Sequence, residues 1–252
     1  MKTKMMSENW KQLQSVSKEL SSSQSSTASN PIFKRKNHAP INNKWKKQKE
    51  YIAGMSKDSK RAKQSTSGIL DLEELKKSSK KVFAIDCEYV GAGFEGKDDI
   101  LARVSIVDEE GNCVYDKYVF PTKQITDYRT DVSGIRPADL CEGKAESFDK
   151  VQQDVKAIME GNIIVGHGFH NDLRVLQVSH PKSKTRDTAK FKPIQKACGV
   201  PGKTPSLKLV AQKLLCISIQ SGEHSSVEDA KICMAAYRLY KANWESIMKK
   251  KF

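Results

Sequence analysis

The chain has 252 residues, with 44 Lys and Arg against 30 Asp and Glu, a net charge of +14 that points to a polyanionic partner. It has no run of about 18 apolar residues and no apolar stretch of the kind a secretory leader needs, so a soluble, non-secreted protein without a membrane span is expected. The six cysteines (Cys87, Cys113, Cys141, Cys198, Cys216, Cys233) form no CxxC pair and no zinc spacing. That argues against a disulfide scaffold or a zinc ribbon and for reduced, intracellular thiols, most of them in apolar surroundings.

The charge is unevenly placed. Residues 1–80 hold 18 Lys and Arg against 7 Asp and Glu, whereas the remaining 172 residues hold 26 against 23. Eight serines crowd residues 15–29, and basic clusters follow at 34–36, 44–49 and 57–63. Such a composition cannot build a core, so residues 1–79 are expected to form a disordered Ser- and Lys-rich tail. Its basic runs read as a nuclear or nucleolar address, as nucleic-acid contact, or as plain solvated charge. Trp45 and Tyr51 lie among the lysines, where they could stack on bases, and Asp71–Leu75 could form a helical turn.

Residues 80–252 are enough for one domain with a sizeable core. It begins with Lys81–Val90 (KVFAIDCEYV), whose apolar run Val82–Ile85 reads as a buried strand. Side chains alternate along a strand, so Asp86 and Glu88 share a face and Cys87 takes the other. Two carboxylates about 7 Å apart on one face repel unless a cation sits between them, and a hard divalent ion suits oxygen ligands. The bland alternative is a strand end with two solvated acids. Glycines 91, 93 and 96 make a turn, not a phosphate loop, because no GKS or GxGxxG helix start follows. Ile100–Val107 and Cys113–Phe120 read as two further strands joined by the turn Asp108–Asn112, giving an antiparallel meander. Thr122–Pro137, with Tyr128 and Arg129, has loop chemistry.

A helical period then appears over 147–160, a short buried strand over 162–165, and a second helical stretch over 170–178 that places Asp172 in its first turn. A carboxylate there suits the helix dipole, but the carboxyl end of a strand is also where ligand sites collect. His167 and His170 read as residues that orient backbone near Asp172, and His38 and His180 as loop residues. Thr185–Thr188 reads as a last short strand, and Lys192–Cys198, Ser206–Leu215 and Val227–Met248 as helices. In Gly222–Ala230 (GEHSSVEDA), Ser225 followed by Glu228 is a capping box that makes His224 the residue before the cap and Asp229 the fourth in the helix. Side chains at those two places meet, which brings an imidazole beside a carboxylate. An ordinary exposed His–Asp pair has the same pattern.

Asp86-x-Glu88, then Asp172, then His224-x4-Asp229 is an ordered set that resembles the DEDDh 3′→5′ exonucleases of the ribonuclease-H-like superfamily. DCEYVGAG, LARVSIVD, TDYRTDVSGI, GHGFHNDL, RDTAKF, PSLKLVAQKLL and HSSVEDA further resemble the RNA exonuclease 4 branch, related to the interferon-stimulated 20 kDa exonuclease. The likeness covers about residues 80–248 and departs from the branch at Tyr89, where methionine is usual, and at Cys216, where glycine is common.

This resemblance implies an α/β, ribonuclease-H-like domain over 80–252 with a five-stranded mixed sheet flanked by helices. It implies that Asp86, Glu88, Asp172 and Asp229 bind two Mg²⁺ or Mn²⁺ ions and that His224 is the general base. Tyr89 would contact the terminal nucleotide. The chemistry agrees: carboxylates favour hard cations over zinc, and a histidine with an ordinary pKa near 6.5 can take a proton at neutral pH. The expected activity is 3′→5′ hydrolysis of RNA to nucleoside 5′-monophosphates, with pre-ribosomal RNA in the nucleolus as substrate. DNA-directed repair and non-catalytic RNA binding are the alternatives, and the sequence leaves the oligomeric state open.

Overall fold

The computed structural model describes residues 81–217 and 223–251. The tail over 1–79, with its basic clusters, Trp45, Tyr51 and the DLEEL stretch, lies outside the described residues, as does Gly222.

The domain is organised around β1 (Val82–Ala92), which buries both of its faces. Val82 and Ala84 enter one apolar cluster, and Phe83, Ile85 and Cys87 enter another on the opposite side of the sheet. This is the alternation a pleated strand imposes. β1 pairs antiparallel with β2 (Asp98–Val107), which pairs antiparallel with β3 (Cys113–Val119). The β2–β3 turn is closed by Asp108, which accepts from Asn112 N at 2.8 Å and from its Nδ2 at 3.0 Å. On its other side β1 pairs parallel with β6 (Ile163–Gly166), and β6 pairs parallel with β7 (Thr185–Asp187).

These five strands form the expected mixed sheet. Two very short strands extend it to seven: β4 (Ile125–Asp127) on the far end of β1, and β5 (Ala145–Glu146) beside β3. The expected loop over 122–137 thus contains β4 and a one-turn helix, α1 (Thr130–Ser133).

Helices cover both faces. One side carries α2 (Phe148–Met159) and α3 (His170–Leu176). α2 is capped by Ser147, whose hydroxyl accepts from Lys150 N at 3.3 Å, and it buries Val151, Val155, Ile158 and Met159. The other side carries α4 (Lys192–Ala197), α5 (Leu207–Val210) running into a π turn (Ala211–Leu215), and the long α6 (Ser226–Lys251). Far from its start, α6 is clamped: Trp244 stacks on Phe191 with centroids 3.8 Å apart, and the Glu245 carboxylate accepts from Arg186 Nε and Nη2, each at 2.7 Å. At its start, the Ser226 hydroxyl lies 2.7 Å from that of Ser105 on β2, fully buried.

Some local expectations are corrected. Ser225 does sit at the N-cap place, its carbonyl accepting from Asp229 N at 2.9 Å. The reciprocal side-chain bonds of a capping box with Glu228 are not among those formed by the described residues, and the buried Ser105–Ser226 contact anchors the helix instead. His167 does not hold backbone near Asp172. It braces two loops, with Nδ1 2.9 Å from Thr188 Oγ1 and Nε2 2.9 Å from Pro205 O. Only three of the six cysteines are buried; Cys113, Cys141 and Cys216 are exposed. Cys216 ends the π turn in the left-handed region, φ 56 and ψ 34, where a residue with a Cβ costs about 1 kcal/mol relative to glycine. No helix among the described residues is long and apolar enough to cross a membrane.

Candidate active site

β6 accompanies β1 only over Val82–Ala84. Beyond that point β1 continues without a parallel neighbour, and an unpaired backbone N–H facing the interior needs another acceptor. Asp172, in the first turn of α3, supplies it: its Oδ1 accepts from Cys87 N at 3.0 Å. Asp172 is 5% exposed. The chain turns from β6 into α3 through Gly166, whose missing side chain matters, since a Cβ there would lie 2.7 Å from the Phe169 ring.

Asp86 and Glu88 project from β1 on the face opposite Cys87, towards the start of α6. There they meet Asp229. Asp86, Glu88 and Asp229 each offer an oxygen, and these oxygens all lie within 4.8 Å of one another. Asp172 stands outside that trio but adds its charge to the same cluster. A β-bulge follows between Glu88 and Tyr89.

Asp86, Glu88 and Asp172, buried and crowded by neighbouring acids, are hard to ionise. Burial, then Asp172, Asp229 and Glu88, holds the Asp86 carboxyl well above its ordinary range. Burial, then Asp229, pushes Glu88 up to about 8, against partial relief from His224 and Arg103. Burial raises Asp172 to about 7, despite the bonds it accepts at Cys87. Glu88 Oε1 is moreover buried without a hydrogen-bond partner, a costly condition for a carboxylate oxygen. An unpartnered buried oxygen, crowded carboxylates and an all-oxygen donor set are what a hard divalent cation would relieve, and the residues fit one.

His224 stands where its spacing from Asp229 places it: Nδ1 is 3.0 Å from Asp229 Oδ2. Its side chain is 48% exposed while that of Asp229 is 9% exposed. The Asp229 carboxylate, with Glu88 nearby, raises the imidazole pKa above its usual value.

Tyr89 is half-buried beyond the bulge, packed against the α2–α3 side, with the Arg129 guanidinium 5.8 Å from its ring centre. Arg129 itself bonds Asp99 Oδ1 at 2.7 Å and Gly96 O at 2.6 Å, and Arg174 bonds Asp99 Oδ2 at 2.5 Å. The two arginines on Asp99 are a feature the loop chemistry of the sequence did not disclose.

An antiparallel meander running into parallel strands, with acids from β1, α3 and α6 converging on one cluster, defines a nuclease fold of the ribonuclease-H-like class. Residues 83–237 match the family model described as Exonuclease (RNase_T), and the chain belongs to that family. It is 50% identical over 172 residues to RNA exonuclease 4 of Xenopus laevis, covering 68% of this chain and 40% of that protein. It is 48% identical over 167 residues to RNA exonuclease 4 of Homo sapiens, covering 66% and 39%. The chain thus matches about two fifths of the length of these curated relatives. Among solved structures it resembles the pseudoubiquitin hydrolase–RNA exonuclease module of Saccharomyces cerevisiae Pan2 in complex with AAUUAA RNA. The TM-score is 0.58 at 32% identity, over 69% of this chain and 31% of that one. The Pan2 catalytic unit of Neurospora crassa gives 0.57 at 27% identity, over 70% and 30%.

Proposed function

We propose that this protein is a metal-dependent 3′→5′ exonuclease that shortens RNA one nucleoside 5′-monophosphate at a time. The observation that carries the reading is the trio Asp86, Glu88 and Asp229 within 4.8 Å, with His224 hung on Asp229. Asp86, Glu88, Asp172 and Asp229 would hold two Mg²⁺ or Mn²⁺ ions. When bound, such ions ease formation of a nucleophile from water and stabilise charge on the attacking and leaving oxygens.

His224 supplies the base. An ionised Asp229 can only accept, so it takes the Nδ1 hydrogen and leaves Nε2 with a free lone pair. Nε2 then removes a proton from the attacking water, and Asp229 steadies the imidazolium that results. Attack at phosphorus breaks the bond to the 3′-oxygen of the preceding nucleotide and releases a 5′-monophosphate. Tyr89, half-buried under Arg129 at the rim, would contact the terminal nucleotide.

The strongly basic residues 1–80 favour a polyanion and a nucleolar address, and with the likeness to RNA exonuclease 4 proteins they support pre-ribosomal RNA as substrate. DNA is the second candidate, since no described contact requires a 2′-hydroxyl. The test is digestion of 3′-labelled and 5′-labelled RNA and DNA oligomers with magnesium or with chelator. Stepwise release from the 3′ end of RNA, abolished by chelator, is expected. Release from the 5′ end, or cleavage that persists in chelator, overturns the assignment.

A further inference from the structure

The acids sit on strands and helices, but His224 precedes α6 and is half-exposed. Something has to hold it still, because a base misplaced by about 1 Å can lose as much as 10²-fold in rate. The contacts that do so come from an unexpected place, the segment Arg129–Arg136. The amide of His224 donates to Val132 O at 2.9 Å. The neighbouring Glu223 receives two bonds from the Arg136 guanidinium: Nη1 to Oε2 at 3.1 Å, and Nη2 to Oε1. Arg136 Nη1 also donates to Gly134 O at 3.2 Å, which aims the guanidinium along the segment. Gly134 has φ 66, and a Cβ there would lie 3.1 Å from His224 O, so the two backbones meet where only glycine fits comfortably.

The segment is itself well fixed. Ile135 is 1% exposed, Ser133 Oγ donates to Tyr128 O at 2.9 Å, and Thr130 Oγ1 donates to Ile135 O at 2.7 Å. Arg129 ties it to the β1–β2 hairpin through Asp99 and Gly96.

We infer that Arg136 and Glu223 form a clasp that positions His224 for the proposed reaction. The inference rests on that functional reading. Neither side chain touches the carboxylate cluster, and both are about half exposed, at 53% and 46%. An exposed pair of this kind contributes little to overall stability, so its removal leaves the fold intact and the effect falls on the histidine.

The test is a charge-swap series on the full chain. Arg136→Glu and Glu223→Arg, each of which sets like charges together where an ion pair stood, should lower kcat by roughly 3-fold to 10-fold with KM unchanged, and the double swap should recover most of the loss. In a His224→Ala background, Arg136→Glu should add nothing further, because the residue that it positions is gone. In parallel, hydrogen exchange at the His224 amide should quicken in Arg136→Glu and slow again in the double swap. Equal slowing of parent and His224→Ala enzymes by Arg136→Glu overturns the clasp, as does unchanged exchange at that amide. If the parent does not shorten RNA at all, the exonuclease reading falls and the exchange arm alone decides whether the clasp exists.

Discussion

The carboxylates and the histidine of this site are held in opposite ways. Asp86 and Glu88 are fixed by a central strand and Asp172 by a helix docked on it through Cys87 N, and Glu88 Oε1 is buried without a partner. His224 is half in solvent, held by one carboxylate, one amide bond and a surface ion pair. The acids thus sit crowded in a buried frame, whereas the histidine is placed by contacts at the surface. Electrostatic preorganisation needs the first arrangement, and the proton-accepting role proposed for His224 tolerates the second.

The sharpest way to break this contrast is to neutralise an acid. Asp86→Asn or Asp229→Asn should reduce RNA hydrolysis by about 10³-fold or more, since each removes one carboxylate from the cluster proposed to hold the metal ions. Circular dichroism should match the parent, and activity within a few-fold of parent at saturating magnesium would remove the cluster from the mechanism. Next is the histidine. His224→Ala should slow single-turnover cleavage by roughly 10²–10⁴-fold and leave magnesium affinity near the parent value. The parent rate should rise with pH through one ionisation, because only the neutral imidazole is a base, and the variant should lose that limb. A variant rescued by manganese with the limb intact would make His224 a ligand or a structural residue.

Burial of the acids has its own signature. Burial, and after it the Asp229 charge, raises Glu88 from 4.5 to about 8 on folding, so the fold prefers the protonated acid. That preference is fully present below pH 4.5 and is lost as pH rises through 8. In chelator, Glu88→Gln should therefore match the parent near pH 4.5 and exceed it in stability above pH 8 by on the order of a few kcal/mol. Urea unfolding at both pH values checks this; equal stability at pH 8.5 would show that Glu88 carries no such strain. The smallest effect is expected at Ser226→Ala. It removes the buried contact with Ser105, which keeps its own bond to Asp116 at 2.8 Å, so the loss should be about 1 kcal/mol, read as a small fall in urea midpoint. A loss above about 3 kcal/mol would mean the helix start depends on that hydroxyl far more than one bond allows.

Much of this was legible in the chain. Alternation on β1 puts Asp86 and Glu88 together, and counting from Ser225 brings His224 to Asp229. β4 and β5 were not legible, because two or three residues carry no periodicity. Nor was the acceptor role of Asp172 at Cys87, which depends on where β6 stops. The clasp between Arg136 and Glu223 joins residues 87 positions apart, and nothing local in either segment announces the other. The glycine preference at residue 216 became physical only with its left-handed backbone.

α6 gives the far end of the molecule a say in the site. Asp229 stands in its first turn, while Trp244 and Glu245 are gripped by Phe191 and Arg186, about 22 Å away at 1.5 Å per residue. Between those ends Ala230 and residues 232–237 are buried against the sheet, so the helix is a strut seated along its length, and Asp229 is only as firmly placed as that strut is folded. Removing the Trp244 ring weakens the packing of the whole strut. A substitution remote from every acid would then lower measured activity by thinning the folded population, with kcat per folded molecule near the parent value.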